Sequence, residues 1–241
     1  MNPAGELRVV RLGTMAYADA LELQRAAARA RITGAIAEDL LLLVEHEPVV
    51  TMGRTAKQQN LTASPEVLAA RGVALFEVER GGDITYHGPG QLVGYPIVDL
   101  KRHKQDLHWY LRQVEEALIR ALDVHGIAGE RSAGYTGVWT RGRAGGADHP
   151  PRKIASIGVH ARDWVTWHGF ALNVTTELSY FDLIVPCGIS GVDMTSMSRE
   201  LGAPVAMRAA EDAAARAFSE VFSLSIVEAS LGSLALEVQA A

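Results

Sequence analysis

The only cysteine of the chain, Cys187, lies in a segment whose composition is typical of a tight turn. The segment reads Val-Pro-Cys-Gly-Ile-Ser-Gly over residues 185–191. A single thiol excludes an intramolecular disulfide and disfavours a structural metal site built on cysteines. The thiolate is the reactive form of cysteine, so a thiol that a turn holds near a cation or base can act as a nucleophile. Cys187 is therefore a candidate nucleophile.

The partner that such a thiol needs can be sought among four lysines and eight histidines. Lys153 differs from the other lysines because two prolines precede it and a largely apolar segment follows it. An amine has an intrinsic pKa of about 10.4 and a thiol one of about 8.5, so a Cys–Lys pair favours thiolate and ammonium. The spacing of Cys187 and Lys153 does not force contact, and other partners stay open at this point.

A second candidate site is the glycine-rich stretch over residues 80–91, which reads Arg-Gly-Gly-Asp-Ile-Thr-Tyr-His-Gly-Pro-Gly-Gln. Strand-like runs at residues 73–79 and 92–98 flank it. Dense glycine suits backbone that turns sharply or approaches a ligand closely. The stretch could be a hairpin connection, but its many polar side chains favour a binding loop.

The composition is that of an ordinary globular protein: 241 residues, 48% hydrophobic and 21% charged. This length allows one large α/β domain or two small ones. The net charge of −5 disfavours a nucleic-acid partner. No apolar run reaches the roughly 18 residues that a membrane span needs, and the N-terminus lacks the apolar core of a signal peptide. We therefore expect a cytoplasmic enzyme without a nucleic-acid or membrane partner.

Local patterns predict alternating helices and strands, hence an α/β fold. Helices are expected at residues 17–31, 65–71, 107–125 and 208–222, and strands at 40–44, 49–52, 73–79, 92–98, 137–140, 153–160 and 165–174. The strand at 49–52 is expected to pair with that at 40–44. Residues 141–151 are expected to form a surface loop, and the last residues a short strand near 224–227 and a final helix.

Five blocks of the chain, taken together and in this order, resemble the octanoyltransferases of lipoate biosynthesis, the lipoyl(octanoyl) transferases. They are E-H-E-P-V-V-T-M-G-R at 45–54, the glycine-rich stretch at 80–91, K-I-A-S-I-G-V at 153–159, H-G-F-A-L-N-V at 168–174 and P-C-G-I at 186–189. The likeness extends over about residues 17–197. It implies a single catalytic domain over 1–241, with the mixed α/β fold of biotin and lipoate protein ligases and a C-terminal helical extension over 203–241.

The resemblance also implies roles for individual residues. By matching position, Cys187 becomes the acyl-thioester nucleophile and Lys153 the partner that favours its thiolate. Backbone N–H groups near Gly158 and Gly188 are expected to stabilise the oxyanion. The residues expected to bind the acyl group are Arg80, Gly81, Gly82, Asp83, Ile84, Thr85, Tyr86, His87, Ser156, Ile157, Gly158, Gly169, Phe170 and Ala171.

The reaction implied by the resemblance moves an octanoyl group from acyl carrier protein to a lysine of lipoyl domains. The acceptors would be the lipoyl domains of 2-oxoacid dehydrogenases and the H protein of glycine cleavage. A thioester donor makes transfer to an amine downhill, so no cofactor, ATP or metal is expected. Acidic partners would dock on a basic surface, for which the candidates are Arg54, Lys57, Lys101, Arg102 and Lys104.

Three other functions compete with this one. The Arg- and Gly-rich residues 141–146 resemble the phosphate loop of ATP-dependent ligases that share the fold. A thioesterase would pass the acyl group to water, and a non-catalytic protein would only bind lipoyl domains. The joint presence of Cys187 and Lys153 favours the transferase over the ligase and over the binding protein.

Overall fold

The computed structural model describes residues 5–141 and 150–234, which form a mixed α/β domain with two β-sheets. The strands are β1 (Glu6–Met15), β2 (Asp39–His46), β3 (Val49–Met52), β4 (Ala74–Glu77), β5 (Ile84–His87), β6 (Gln91–Ile97), β7 (Gly129–Glu130), β8 (Val138–Thr140), β9 (Arg152–Arg162), β10 (Val165–Asn173) and β11 (Ser225–Ala229). The α-helices are α1 (Tyr17–Thr33), α2 (Pro65–Ala70), α3 (Leu107–Asp123), α4 (Met197–Leu201) and α5 (Met207–Phe222).

The main sheet contains eight strands in the order β11-β1-β2-β6-β10-β9-β8-β7. The apolar run at the centre of β2 explains why the sheet is covered on both faces, because successive strand side chains point to opposite sides. Leu41 and Leu43 pack into the cluster under α3 and α5, whereas Leu40 and Leu42 pack into the cluster under α1. The main sheet is therefore the middle layer of the domain.

The layer formed by α3 and α5 is specified by simple local signals. The carboxylate of Asp106 accepts a hydrogen bond from the Trp109 N–H (3.0 Å), which caps α3 as the sequence predicts. Along α3, Tyr110, Val114 and Leu118 lie at helical spacing and are fully buried against the sheet. This stripe is structural.

The smaller sheet has the order β4-β3-β5. The predicted pairing of residues 49–52 with 40–44 is wrong, because β3 pairs with β4 and β5 instead. Pro48 lies between β2 and β3 and lacks the N–H that a continuous ladder would need. The chain leaves the main sheet there and starts a second layer.

The glycine-rich stretch is also more ordered than a loop between two strands. Its centre is β5, which pairs antiparallel with β3, with Thr85 opposite Thr51. The irregular parts are the turns on either side, at residues 78–83 and 88–90. One face of β5 is therefore presented to the main sheet, and the space between the two sheets holds the candidate site.

The expected C-terminal helical extension is only partly helical. After α5 the chain forms β11, which pairs parallel to β1 at the edge of the main sheet, and then a short turn of 3-10 helix, Leu231–Leu234. The segment forms a strand because the free edge of β1 offers it backbone hydrogen-bond partners, and these cannot be predicted from the local sequence. The predicted loop at 141–151 lies largely outside the described residues. None of the helices in the described ranges combines the length and apolar character needed to cross a membrane.

Candidate active site

Cys187 occupies a short turn, Pro186–Gly188, at the mouth of the space between the sheets. The residue has left-handed backbone angles (φ 57°, ψ 17°), which non-glycine residues adopt rarely. Gly188 also has a positive φ of 67°, and a Cβ there would lie 2.5 Å from the Asp83 carboxylate. The turn thus packs tightly on the glycine-rich stretch while the thiol stays partly exposed.

Lys153 lies on β9 and only 1% of its surface is exposed. Its Nζ donates to the Thr136 carbonyl (3.0 Å) and lies 4.1 Å from the centroid of the Trp139 ring. Burial lowers the pKa of Lys153, while the charge of the Cys187 thiolate and a hydrogen bond to it act in the opposite direction. Both side chains line the same cavity, where the Cys187 Sγ lies 3.7 Å from the Ser156 Oγ.

Backbone pairing explains how residues so far apart in sequence meet. Lys153 N–H donates to the Asp193 carbonyl (2.8 Å), and the Lys153 carbonyl accepts from Thr195 N–H (2.9 Å). The segment that follows the cysteine turn therefore runs beside β9 as an extra short strand, bridged at Met194. This fixes the turn against the lysine.

A cavity of about 310 Å³ extends inward from Cys187 between the two sheets. Its lining includes all the predicted acyl-binding residues except Gly81 and Tyr86, together with Lys153 and Cys187. The Tyr86 ring lies on the other face of β5, stacked on Tyr180 with centroids 4.9 Å apart. Gly81 does not line the cavity but links the glycine-rich stretch to β9, since its N–H donates to the Val159 carbonyl (2.8 Å).

Glycine in the wall allows the two sheets to approach each other. A Cβ on Gly158 would lie 2.8 Å from the Gly81 carbonyl oxygen and 3.2 Å from Arg80 Cδ. Within the main sheet, a Cβ on Gly169 of β10 would lie 2.2 Å from the Gly94 carbonyl oxygen of the neighbouring strand β6. Such distances are too short for any side chain, so these positions shape the cavity by having none.

Arg80 is a buried cation in this wall. Its guanidinium donates to the Thr51 carbonyl (2.7 Å), to Thr51 Oγ1 (2.9 Å) and to the Gly81 carbonyl (3.1 Å). All three acceptors are neutral, and among the described residues no carboxylate lies within ion-pair distance of it. Burial lowers the pKa of Arg80, and nearby acidic groups, Tyr17 first and then Cys187, act in the opposite direction.

One backbone donor in the region predicted to bind the oxyanion is already engaged. The Gly188 N–H already donates to the Val185 carbonyl (2.9 Å), which closes the cysteine turn. This donor is therefore not available to a developing oxyanion. The involvement of a backbone N–H near Gly158 stays a prediction.

The inner end of the cavity is formed by polar side chains that sequence reasoning missed. Tyr17, Tyr95 and His168 line it beside the predicted His87. His46 supports them, since its Nδ1–H donates to the Met15 carbonyl (2.9 Å) and its Nε2 accepts from the Tyr95 hydroxyl (2.6 Å). The other missed lining residues are Val93, Gly134, Tyr135, Thr136, Gly188 and Ile189. A useful signal was the position of His168, directly before the predicted Gly169–Phe170–Ala171 block.

Burial keeps two histidines of this network, His46 and His87, neutral and makes the fold sensitive to acid. It lowers the pKa of His46 to about 4 and that of His87 to about 3, the latter helped by repulsion from His46. Between about pH 6.5 and pH 4 the unfolded chain binds protons that the folded chain does not, so stability falls as pH falls through this window. His46 alone should contribute about 2 kcal/mol of loss between pH 7 and pH 5.

Urea unfolding at the two pH values tests this expectation. His46→Gln should lose less stability than the wild type between pH 7 and pH 5. His108→Gln is the matched control, because His108 is exposed on α3 and should leave the full pH dependence in place. An equal pH dependence in wild type and His46→Gln would contradict the assignment of a neutral His46.

The predicted basic surface is split into two parts. Lys57 lies beside the cysteine turn, since its N–H donates to the Asp83 carboxylate (3.4 Å) that Gly188 packs against, and the Arg54 N–H donates to the nearby Arg80 carbonyl (3.0 Å). Lys101 and Arg102 follow Leu100, whose N–H donates to the Trp164 carbonyl (2.8 Å) at the turn between β9 and β10, and Lys104 comes two residues later, paired with Asp106. The strand β9 separates this turn from Ser156, near the thiol, by about 20 Å.

Comparison with known proteins agrees with this architecture. Residues 16–219 match the family model described as the lipoyl protein ligase A/B catalytic domain. The chain is 50% identical to an octanoyltransferase of Koribacter versatilis over 218 residues, covering 90% of this chain and 84% of that protein. It is 46% identical to an octanoyltransferase of Chloroflexus aggregans over 224 residues, covering 92% and 98%.

A solved structure shares the fold at low sequence identity. It is that of a bipartite lipoate protein ligase from Thermoplasma acidophilum, solved in a study of an archaeal lipoylation system with its E2 lipoyl domain. The TM-score is 0.75 at 18% identity, with 95% of this chain and 90% of that chain covered. The fold expected from the resemblance is confirmed. Given the identity to full-length relatives, this chain belongs to the octanoyltransferases of the lipoyl protein ligase A/B catalytic domain family.

Proposed function

We propose that this enzyme carries an octanoyl group on Cys187 between two protein substrates. The donor is octanoyl-acyl carrier protein, and the acceptors are the lysines of lipoyl domains in 2-oxoacid dehydrogenases and of the glycine cleavage H protein. The observation that supports this cycle best is that the Cys187 thiol and the buried Lys153 amine line the same cavity. A thiol and an amine so placed can form a thioester and then pass it on.

In the first step the Cys187 thiolate attacks the carbonyl carbon of the donor thioester. A new C–S bond forms to Cys187, and the bond to the carrier sulfur breaks. The Lys153 ammonium gives its proton to the departing carrier thiolate, which leaves as a thiol. One thioester replaces another, so the step is nearly balanced in free energy. The octanoyl chain then occupies the cavity between the sheets.

In the second step the acceptor lysine displaces Cys187. The neutral Lys153 takes a proton from the acceptor ammonium, because only the uncharged amine attacks a thioester. An amide bond forms, the C–S bond breaks, and the pair returns to thiolate and ammonium with release of one proton to water. Amide formation from a thioester is downhill, so the cycle requires no ATP.

The competing activities differ in what they consume and release. The test is an assay with purified lipoyl domain and either octanoyl-acyl carrier protein alone or free octanoate with ATP. The proposed transferase modifies the lipoyl domain in the first mixture and not in the second. Modification only with octanoate and ATP would indicate a ligase, and release of octanoate without modification would indicate a thioesterase.

The split of the basic surface leads to a prediction about the donor. The double variant Arg54→Glu, Lys57→Glu should raise the KM for octanoyl-acyl carrier protein about tenfold and change kcat little, because the two cations lie where an acidic carrier must dock to reach Cys187. Initial rates at varied donor concentration, at low and high salt, measure this. Added salt should reduce the difference between variant and wild type.

The matched control is the double variant Lys101→Glu, Lys104→Glu. It introduces the same charge change about 20 Å from the thiol. We expect a much smaller rise in KM. A larger rise in this control than in the Arg54 and Lys57 variant would move the docking surface to the far turn.

A further inference from the structure

Glu115 is a carboxylate with no exposed surface, on the face of α3 that meets the β7–β8 region. It accepts hydrogen bonds from Arg112 Nη1 (2.5 Å), Arg131 Nε (3.2 Å) and the Gly137 N–H (3.1 Å). Burying a carboxylate is costly unless charges and donors surround it. Two arginines compensate the negative charge of Glu115. The third donor, the Gly137 N–H, belongs to the backbone next to the active site.

The backbone donor belongs to the same peptide unit that binds Lys153. The Thr136 carbonyl accepts from Lys153 Nζ (3.0 Å), and the Gly137 N–H of that peptide donates to Glu115 Oε1. The peptide is planar, so its two ends are rigidly coupled. Its N–H end faces the carboxylate and its carbonyl end faces the ammonium, and each bond polarises the other.

The geometry at Gly137 shows how closely this peptide is fitted against the lysine. Gly137 has a φ of +133°, and a Cβ there would lie 2.9 Å from Lys153 Nζ and 2.6 Å from the Ala155 carbonyl oxygen. A side chain would push the peptide away from the amine. The absence of one lets the carbonyl reach the ammonium directly.

We propose that Glu115 is a positioning residue for Lys153, whose amine it holds, through the Thr136–Gly137 peptide, in the wall of the cavity that Cys187 also lines. Glu115 touches neither the thiol nor the cavity lining, so it acts only through this peptide and through its charge. The role rests on the proposed function, in which Lys153 must be an ammonium when the carrier thiolate departs.

The charges around Lys153 shift its pKa in opposite directions according to their sign. Burial lowers the pKa of Lys153, whereas the negative charges of Cys187 and Glu115 raise it. The other charged groups near this arrangement are Arg80 and Asp83 on the cavity side, Arg112 and Arg131 around Glu115, and the Arg152–Glu200 pair at the neighbouring position of β9. Removing the Glu115 charge should therefore destabilise the ammonium, and removing a cation beside Glu115 should stabilise it.

Lysine titration by NMR tests this without any substrate. The chain contains four lysines, so protein labelled with ¹³C and ¹⁵N only in lysine gives few side-chain signals, and Lys153→Met assigns that of Lys153. In Glu115→Gln the Lys153 amine should titrate about one pH unit lower than in the wild type, the order expected for a partly compensated nearby charge. Glu116→Gln is the control, because Glu116 binds the same Arg131 from a more exposed position and should leave the titration unchanged.

A second variant keeps the inference testable if Glu115→Gln fails to fold. Arg112 is half-exposed, and Arg112→Gln should move the Lys153 titration in the opposite direction, to higher pH. A titration unchanged in both variants, or moved alike in both, would overturn the role of Glu115. In transfer assays, the rate of Cys187 acylation should fall at high pH, and the pH of this fall should shift in each variant in the same direction as the Lys153 titration. A wild type that titrates as expected but is never acylated would contradict the proposed function alone.

Discussion

Replacing Cys187 by serine is expected to lower kcat/KM for octanoyl transfer by about a thousandfold or more, a loss of about 4 kcal/mol of transition-state stabilisation. A hydroxyl beside Lys153 stays protonated at neutral pH, because its intrinsic pKa is far above that of a thiol. Even if an oxygen ester formed, it would acylate an amine much more slowly than a thioester does. Both steps of the cycle therefore fail in this variant.

The fold should survive this change. Cys187 is partly exposed in a turn and the substitution replaces one atom, so the thermal unfolding temperature should stay within about 2 °C of the wild type. Ser190→Ala, at an exposed position of the same segment, is the matched control and should retain its activity. Transfer by Cys187→Ser at a rate close to that of the wild type would refute the acyl-enzyme cycle.

Lys153→Met should lose about 10²- to 10⁴-fold in transfer rate, the range that general acid–base groups contribute. Methionine keeps much of the volume and the contact with the Trp139 ring but lacks the proton that both steps need. The buried ammonium and its cost are removed, so the free energy of unfolding should not fall by more than about 1 kcal/mol. A large loss of activity in a stable protein therefore identifies chemistry rather than packing.

Single-turnover rates measure separately the two roles of Lys153, as proton donor to the carrier thiolate and as proton acceptor from the acceptor lysine. Acylation of Cys187 by octanoyl-acyl carrier protein and discharge of the acyl-enzyme by lipoyl domain should both slow down, the first because the thiolate loses its counterion. Lys104→Met, at an exposed position far from the thiol, serves as the control. A variant that slows neither step would remove Lys153 from the mechanism.

Local sequence signals predicted most elements because their causes are local. The Asp106 cap of α3, the Ser64 cap with Pro65 at the start of α2, and the left-handed Gly34 at the end of α1 all follow from a few neighbouring residues. The failures depend on distant chain segments. The partner of β3 and the strand β11 are chosen by open sheet edges elsewhere in the domain, which no local pattern records.

The residues of the candidate site also divide into those that the sequence could predict and those that it could not. Cys187, Lys153 and the glycine-rich wall could be predicted because their blocks resemble a known family. The inner end of the cavity could not, since Tyr17 begins a helix that looks purely structural and His168 reaches the cavity from a strand position with a φ of 55°. Glu115 lies within the helical pattern of α3, and only the peptide that it shares with Lys153 distinguishes it from an ordinary helix carboxylate.

Intact-mass spectrometry of the enzyme after mixing with octanoyl-acyl carrier protein, without ATP, tests the central claim most directly. We expect a gain of one octanoyl group on the wild type, no gain on Cys187→Ser, and loss of the group when lipoyl domain is added. The lipoyl domain should gain the same mass. An unmodified wild-type enzyme in a mixture that nevertheless octanoylates the lipoyl domain would contradict the covalent intermediate on Cys187.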